Sequence, residues 1–221
     1  MSDKMEELKN IIIKKRKEIF KQNKFEKYVK ILDSMQIPEK FNYKDCIPNV
    51  FSDTRYKEIK KFKINPYNTL YKEVLRYTNC NKLNLDEEII IVVHPFYPII
   101  RHANFLIQFP DYYEKYIKYE KNILKLLNNK NLNIVLFESP DNFARYTYKF
   151  YDSGSVKKVV FTEHSTGIVL NKNDLFDLKK CKKAKVVGCY GNNCVLDVKK
   201  QLSNINFIDD EELILERAIK L

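Results

Sequence analysis

Short apolar runs without polar alternation are the feature of this sequence that most constrains its fold. The first run, residues 89–93, consists of five consecutive β-branched residues. A strand with one face in water alternates apolar and polar residues, whereas a strand buried on both faces has no need to. Four further runs that are mostly apolar follow at residues 133–137, 158–161, 184–187 and 205–208. We therefore predict five strands, buried in a sheet.

Helical patterns separate these runs. Residues 111–127 have helical spacing behind an N-cap at Asp111, and a short aromatic helix is expected after residue 141. Further helices are predicted at residues 174–181 and 193–202, with Asp210 capping a last one. Strands that alternate with helices indicate βαβ crossovers. The fold class is therefore α/β, with a three-layer, mostly parallel sheet flanked by helices.

The first part of the chain has a different character. Residues 3–35 carry apolar side chains at helical spacing with Lys and Glu between them, and a second helix is expected at residues 68–77. We interpret residues 1–84 as a helical N-terminal extension and residues 85–221 as the α/β domain. Because an apolar helix face cannot stay in water, the extension should pack on the sheet domain or on a partner subunit. A homo-oligomer is therefore one of the expected arrangements.

Charge and cysteine content limit the partners. The formal net charge is +11, which favours nucleic acid, but Lys greatly outnumbers Arg and is spread along the chain. We expect a solvated basic surface rather than a nucleic-acid site. No apolar run approaches the roughly 18 residues of a membrane span, and the acidic, polar start resembles no leader. We expect a cytoplasmic protein whose five cysteines, which form no C-x-x-C pair, are reduced thiols. No structural metal site and no cofactor are indicated.

The carboxyl ends of the predicted strands are where a ligand should bind. Loops and helix N-termini converge there in parallel sheets. His94, Glu138, Glu163 and His164 follow three of the strands, and residues 188–194 follow the fourth. Two of the three histidines of the chain thus stand at strand ends.

One motif in this set has a specific spacing. Gly188 ends the fourth strand, five loop residues follow, and Cys194 then opens a helix. Free N–H groups and the positive dipole end at a helix start lower a thiol pKa and can hold an oxyanion. We therefore expect Cys194 to be a nucleophile. The residues expected to bind substrate around it are Gly188, Gly191, Asn192 and Asn193.

This motif resembles the isochorismatase-like cysteine hydrolases, the family that includes nicotinamidases. The family has a strand ending in Gly, five loop residues and Cys-Val, matched here by Gly188, Cys194 and Val195. The resemblance covers residues 88–221 loosely and residues 178–209 closely. It implies hydrolysis of an amide or related bond of a small molecule through Cys194.

Two positions depart from the family pattern. Where the family has an Asp that serves as base, this chain has His94, and where it has a Lys, this chain has Glu163 or His164. The candidate catalytic residues are therefore Cys194, His94, His164 and Glu163, since imidazole can accept a thiol proton. Three alternatives stay open: a metal site formed by Cys194 and two histidines, a non-catalytic binding or assembly protein on a degenerate hydrolase scaffold, and a basic nucleic-acid-binding protein.

Overall fold

Five parallel strands form the centre of the molecule. The computed structural model of the chain describes residues 3–22, 24–29, 66–78, 83–163 and 166–216. Within them the spatial order of the strands is β3-β2-β1-β4-β5, and every pairing is parallel. This arrangement confirms the α/β prediction. The strands are β1 (Ile89–Val93), β2 (Asn133–Glu138), β3 (Val156–Phe161), β4 (Lys183–Cys189) and β5 (Asn206–Leu215).

Helices cover both faces of this sheet. Helices α1 to α6 pack on one face, while two 3₁₀ turns and α7 pack on the other. The helices are α1 (Asp3–Phe20), α2 (Pro66–Tyr77), α3 (Tyr97–Arg101), α4 (Ala103–Gln108), α5 (Pro110–Leu127), α6 (residues 140–152) and α7 (residues 191–201); the 3₁₀ turns are Lys172–Leu175 and Leu178–Lys180. No helix in this part of the chain combines the length and the apolar character that crossing a bilayer requires.

The central strand explains why the first apolar run shows no alternation. Ile90 and Val92 point into the core under α1 to α6, whereas Ile89, Ile91 and Val93 point into the core under α7. Because successive side chains of a strand point to opposite faces, both faces of β1 must be apolar. Residues 89–93 are accordingly all buried.

The N-terminal helix packs on the helical layer of the sheet. Ile12 and Ile19 of α1 are buried in the same core as β1 and β2, and α1 contacts α3, α4 and α6. The expected packing on the sheet domain is therefore present. No observation tests the boundary at residue 84, which stays a prediction.

The predicted extent of the first helix, residues 3–35, is wrong. The helix ends at Phe20, because the polar residues that follow offer no apolar side chain to continue its buried face. Lys24 instead turns toward α6, where its N–H donates to the carbonyl of Ala144 (3.2 Å) and its ammonium pairs with Asp152 (2.7 Å). Residues 26–29 form a further helical turn, and residues 30–35 lie outside the described chain.

Two other predicted helices differ from the structure. The segment expected at residues 174–181 forms two short 3₁₀ turns instead of a helix, and each turn buries one leucine, Leu175 and Leu178. Asp210 does not cap a helix. It lies inside β5, where its carboxylate pairs with Lys185 (3.2 Å), and the strand bulges before continuing to Leu215.

Candidate functional site

The connections of β1 and β4 define a switch point at the carboxyl ends of these two strands. These two strands are neighbours, but the chain leaves β1 toward α3 on one face and leaves β4 toward α7 on the other. Ligands of open parallel sheets bind at such a switch point, outside the carboxyl ends of the strands. His94 follows β1 at this point, and Cys194 lies in the first turns of α7. Two of the proposed catalytic residues therefore stand at this switch point.

Gly188 is required by the packing of β4 on β1. Its φ angle is +129°, and a Cβ there would overlap the backbone of Val93, its partner in the β1–β4 ladder. Only glycine adopts this conformation without strain. Gly188, which was expected to bind substrate, is therefore packed against the neighbouring strand.

The start of α7 contacts a carboxylate of the chain itself. The N–H of Asn192 donates to Oε2 of Glu216 (3.1 Å), and a Cβ at Gly191 would overlap the other oxygen of that carboxylate. The N–H of Asn193 donates to the carbonyl of Tyr190 (3.1 Å). Of the predicted substrate-binding residues of this turn, Asn192 therefore binds an internal acid through its N–H, as the free N–H groups of a helix start allow.

Cys194 is buried, and burial decides its protonation. Its side chain is 1% exposed. Burial raises the pKa of the thiol to about 12, although the backbone N–H groups of Tyr190 and of Cys194 itself act to lower it. The lowered pKa expected from the sequence is therefore wrong for this state of the protein. The free energy lost by removing a thiolate from water is larger here than the free energy gained from its two N–H groups.

The loop after β3 contributes to this burial. Thr162 and Val169 form a bridge across the loop. Gly167 then lies so close to the carbonyl of Cys194 that a Cβ would overlap it. Gln201 of α7 holds the loop by donating to the carbonyl of Gly167 (2.8 Å) and accepting from the N–H of Val169 (3.0 Å). The loop is therefore fixed to the helix that carries the thiol.

His94 is fully buried beside the end of β3. Its Nε2 lies 2.7 Å from the hydroxyl of Thr162, and its ring stacks on Tyr97 at 5.8 Å between centroids. Its φ angle is +43°, a left-handed conformation that is uncommon for a residue other than glycine. The sequence interpretation did not include Thr162, because a hydroxyl at a strand end carries no distinctive signal.

Of the other two predicted catalytic residues, only Glu163 belongs to the part of the chain that the structure describes. Glu163 is exposed, and its carboxylate accepts a hydrogen bond from the hydroxyl of Thr166 (3.0 Å) on the surface of the loop. It is therefore held by its own loop. His164 lies outside the described residues.

Glu138 was expected at a strand end but was not among the predicted catalytic residues, and the structure makes it a functional candidate. It ends β2 and is fully buried. Its Oε1 accepts from the N–H of Ser139 (3.0 Å) and from the side-chain amide of Asn142 (3.2 Å), whereas its buried Oε2 has no hydrogen-bond partner within the described chain. Burial raises the pKa of this carboxyl to about 8, against the lowering effects of those two hydrogen bonds and of Arg101. An acid directly after an apolar run was the available signal.

Buried polar side chains concentrate around this carboxyl. Arg101 forms an ion pair with Asp141 and donates from Nε to the side-chain carbonyl of Asn142 (3.0 Å). The polar residues buried at this end of β1, β2 and β3 are His94, Glu138, Ser139, Asp141, Asn142 and Thr162. Since each buried polar group costs free energy unless it is satisfied, such a concentration marks a candidate active site.

Two cavities open elsewhere. One of about 710 Å³ lies between the start of α5 and the end of β5, and is lined by Tyr112, Lys115 and Glu216 among others. The second, of about 490 Å³, lies at the amino end of β1, beside Ile89 and Lys183. Neither is lined by Cys194 or Glu138.

The described residues do not form a metal site. Within them, no three His, Cys, Asp or Glu side chains are grouped as ligands for a metal ion.

Comparisons of the chain with protein-family models, with curated proteins and with solved structures found no match.

Proposed function

We propose that this chain is a hydrolase that attacks an amide or related bond of a small molecule with the thiol of Cys194. One observation carries the proposal. Cys194 lies in the first turns of the helix that leaves β4 at the switch point of a parallel sheet, where the backbone N–H groups of Tyr190 and of Cys194 act to lower the pKa of its thiol against the effect of burial. Nucleophilic sites use paired backbone N–H groups of this kind to stabilise negative charge.

The same N–H groups suit both stages of the chemistry. They stabilise the thiolate before attack, and they stabilise the oxyanion that forms when sulfur adds to a carbonyl carbon. We propose His94 as the acceptor of the thiol proton, because it ends the neighbouring strand and its Nε2 is held by Thr162. The burial of the site excludes water, which strengthens these electrostatic interactions. In this proposal the protein acts in the cytoplasm, without a cofactor.

The reactivity of the cysteines tests this proposal. Cys189 is the matched internal control, because it is as buried as Cys194 and burial also raises its pKa. The native protein would be labelled briefly with iodoacetamide and then cleaved with chymotrypsin, which separates the two thiols after Tyr190. We expect Cys194 to react faster than Cys189 and Cys181, because the thiolate is the reactive form and backbone N–H groups stabilise it at Cys194.

A non-catalytic binding or assembly protein on this scaffold is the second candidate. The near-complete burial of Cys194 favours it, because a thiol enclosed by packing is usually inert. In that case Cys181, which is 8% exposed, should label before the other two. Labelling of Cys194 and Cys189 at the same slow rate would replace the hydrolase proposal with this one.

A further inference from the structure

We infer that residues 166–170, which follow β3 and precede the first 3₁₀ turn, are a cover that closes over Cys194 and opens to let a substrate reach it. This inference rests on the proposed function and deepens it, because it states how a substrate reaches a buried nucleophile. Cys194 is 1% exposed, yet a thiol attacks a carbonyl carbon only when the two atoms come into contact. Some part of the structure must therefore move.

The cover packs directly on the helix that carries the thiol. Gly167 is buried, and a Cβ at this position would overlap the carbonyl oxygen of Cys194 and lie 3.0 Å from Cβ of Asp197. Val169 is buried as well, in the same apolar core under α7 as Cys194. The cover therefore lies against the first turns of α7, where the thiol is enclosed.

Two polar side chains of α7 hold the cover in this position. Gln201 donates to the carbonyl of Gly167 (2.8 Å) and accepts from the N–H of Val169 (3.0 Å). Asp197 accepts from the N–H of Gly167 (3.2 Å). Each of these three hydrogen bonds joins a side chain of the helix to the backbone of the cover. Because single hydrogen bonds contribute modestly to stability, all three can break while the sheet stays folded.

The backbone of the cover is bonded to the end of β3. The N–H of Leu170 donates to the carbonyl of Phe161 (2.9 Å), and the N–H of Glu163 donates to the carbonyl of Ile168 (2.8 Å). The side chain of Ile168 is 46% exposed, so the outer side of the cover faces solvent. A segment with its own backbone bonds to β3 can separate from α7 without losing its conformation. The cover is therefore able to move as a unit.

Opening changes the environment of the thiol in the way that the reaction requires. In the closed state, burial raises the pKa of Cys194 to about 12, and the thiol keeps its proton. Opening admits water, which solvates a thiolate, while the N–H groups at the start of α7 stay in place. The same motion therefore exposes the thiol and favours its ionised form. Closure over a bound substrate then excludes bulk solvent.

Labelling of the native wild-type protein tests whether a local motion exposes Cys194. The rates at which iodoacetamide labels Cys194 and Cys189 would be measured at several urea concentrations below the unfolding transition. Local opening exposes little surface, so the rate at Cys194 should be nearly independent of urea. Cys189 lies in the core on the other face of the sheet, so its rate should rise steeply with urea. An equally steep rise for both thiols would overturn the inference.

Gln201→Ala tests which contacts keep the cover closed, because it removes two of the three hydrogen bonds to α7. We expect Cys194 to label on the order of tenfold faster in this variant. The amide hydrogen of Gly167, which Asp197 still accepts, should exchange with solvent faster by the same factor. Lys200→Ala changes the exposed neighbouring residue of α7 and should match the wild type. Faster exchange at Gly167 without faster labelling of Cys194 would overturn the inference.

Ile12→Ala separates opening of the cover from a general loss of stability. This variant weakens the core under α1 and leaves the contacts of the cover intact. We expect it to speed the labelling of Cys189, which requires unfolding, and to leave the labelling of Cys194 unchanged. If both thiols were labelled faster by the same factor, exposure of Cys194 would require unfolding, and the cover would be excluded.

Amide turnover separates the cover from the proposed function. If Cys194→Ser abolishes turnover but Gln201→Ala labels like the wild type, the cover is overturned and the hydrolase proposal stands. If Gln201→Ala speeds labelling as expected but Cys194→Ser retains turnover, the hydrolase proposal is overturned, and the cover stands as the element that exposes the thiol.

Discussion

At the scale of single residues, Gly188 connects the geometry of the sheet to that of the site. Its positive φ and the nearby backbone of Val93 exclude any side chain. We expect Gly188→Ala to lower the free energy of unfolding by about 3 kcal/mol or more, because β4 must move away from β1. Gly154 also has a positive φ, of +79°, but no atom lies near its missing Cβ. Gly154→Ala should therefore cost only about 1 kcal/mol. Urea unfolding of the two variants measures the difference, and equal losses would show that the contact with β1 is unimportant.

The protonation of Glu138 makes stability depend on pH. Its pKa is raised from 4.5 to about 8 in the folded protein, so between those values the native state binds a proton that the unfolded chain has released. Stability from this group is therefore greatest at low pH and is lost as pH rises through this range. We expect the wild type to lose about 3 kcal/mol more than Glu138→Gln between pH 6 and pH 9. Parallel pH profiles in urea unfolding would contradict the raised pKa.

The candidate site was only partly predictable from such residues. The spacing of Gly188 and Cys194 identified a strand end and a helix start, because a backbone position that excludes a side chain requires glycine in the local sequence. The burial of Cys194 and the meeting of His94 with Thr162 depend on a loop that is distant in the chain. The importance of Glu138 depends on hydrogen bonds that leave one oxygen without a partner in the described chain, and no local pattern encodes that.

At the scale of elements, α1 is an integral part of the core. Ile12 is fully buried, whereas its neighbour Ile11 is 47% exposed. We expect Ile12→Ala to cost about 3 kcal/mol in the free energy of unfolding, because it leaves a cavity under the helix. Ile11→Ala should change stability by less than about 0.5 kcal/mol. Urea unfolding measures both variants, in which the same side-chain atoms are removed. If both changed the free energy of unfolding by a similarly small amount, α1 would be dispensable for the stability of the sheet domain.

The elements themselves were predicted well where their hydrophobic period was strong. Strands β1 to β4 were found because their apolar runs are largely buried, whereas β5 is an edge strand whose residues are mostly exposed, so its expected burial is wrong. The 3₁₀ turns and the extension of β5 were missed. For β5 the reason is that an Asp after an apolar run occurs both at the start of a helix and in a bulged edge strand. The pairing of β5 with β4 decides between those structures, and it is a tertiary interaction.

At the scale of the whole molecule, the strand order places the thiol and the carboxyl at one edge. Alternating strands and helices predicted a parallel sheet, but only the order β3-β2-β1-β4-β5 sets the switch point between β1 and β4. This order puts β1 between the strand that ends in Glu138 and the strand that leads to Cys194. The hydrolase proposal follows from that arrangement, while the cytoplasmic location and the absence of a nucleic-acid partner stay predictions.

Release of ammonia from small primary amides tests the hydrolase proposal most directly. A panel of aliphatic and aromatic primary amides would be incubated with the wild-type protein, Cys194→Ser and Cys181→Ser. We expect at least one amide to be hydrolysed, with turnover reduced about a thousandfold in Cys194→Ser because the nucleophile is lost. Cys181→Ser should retain wild-type turnover. Ammonia release that persists in Cys194→Ser, or no release from any amide of the panel, would contradict the proposal.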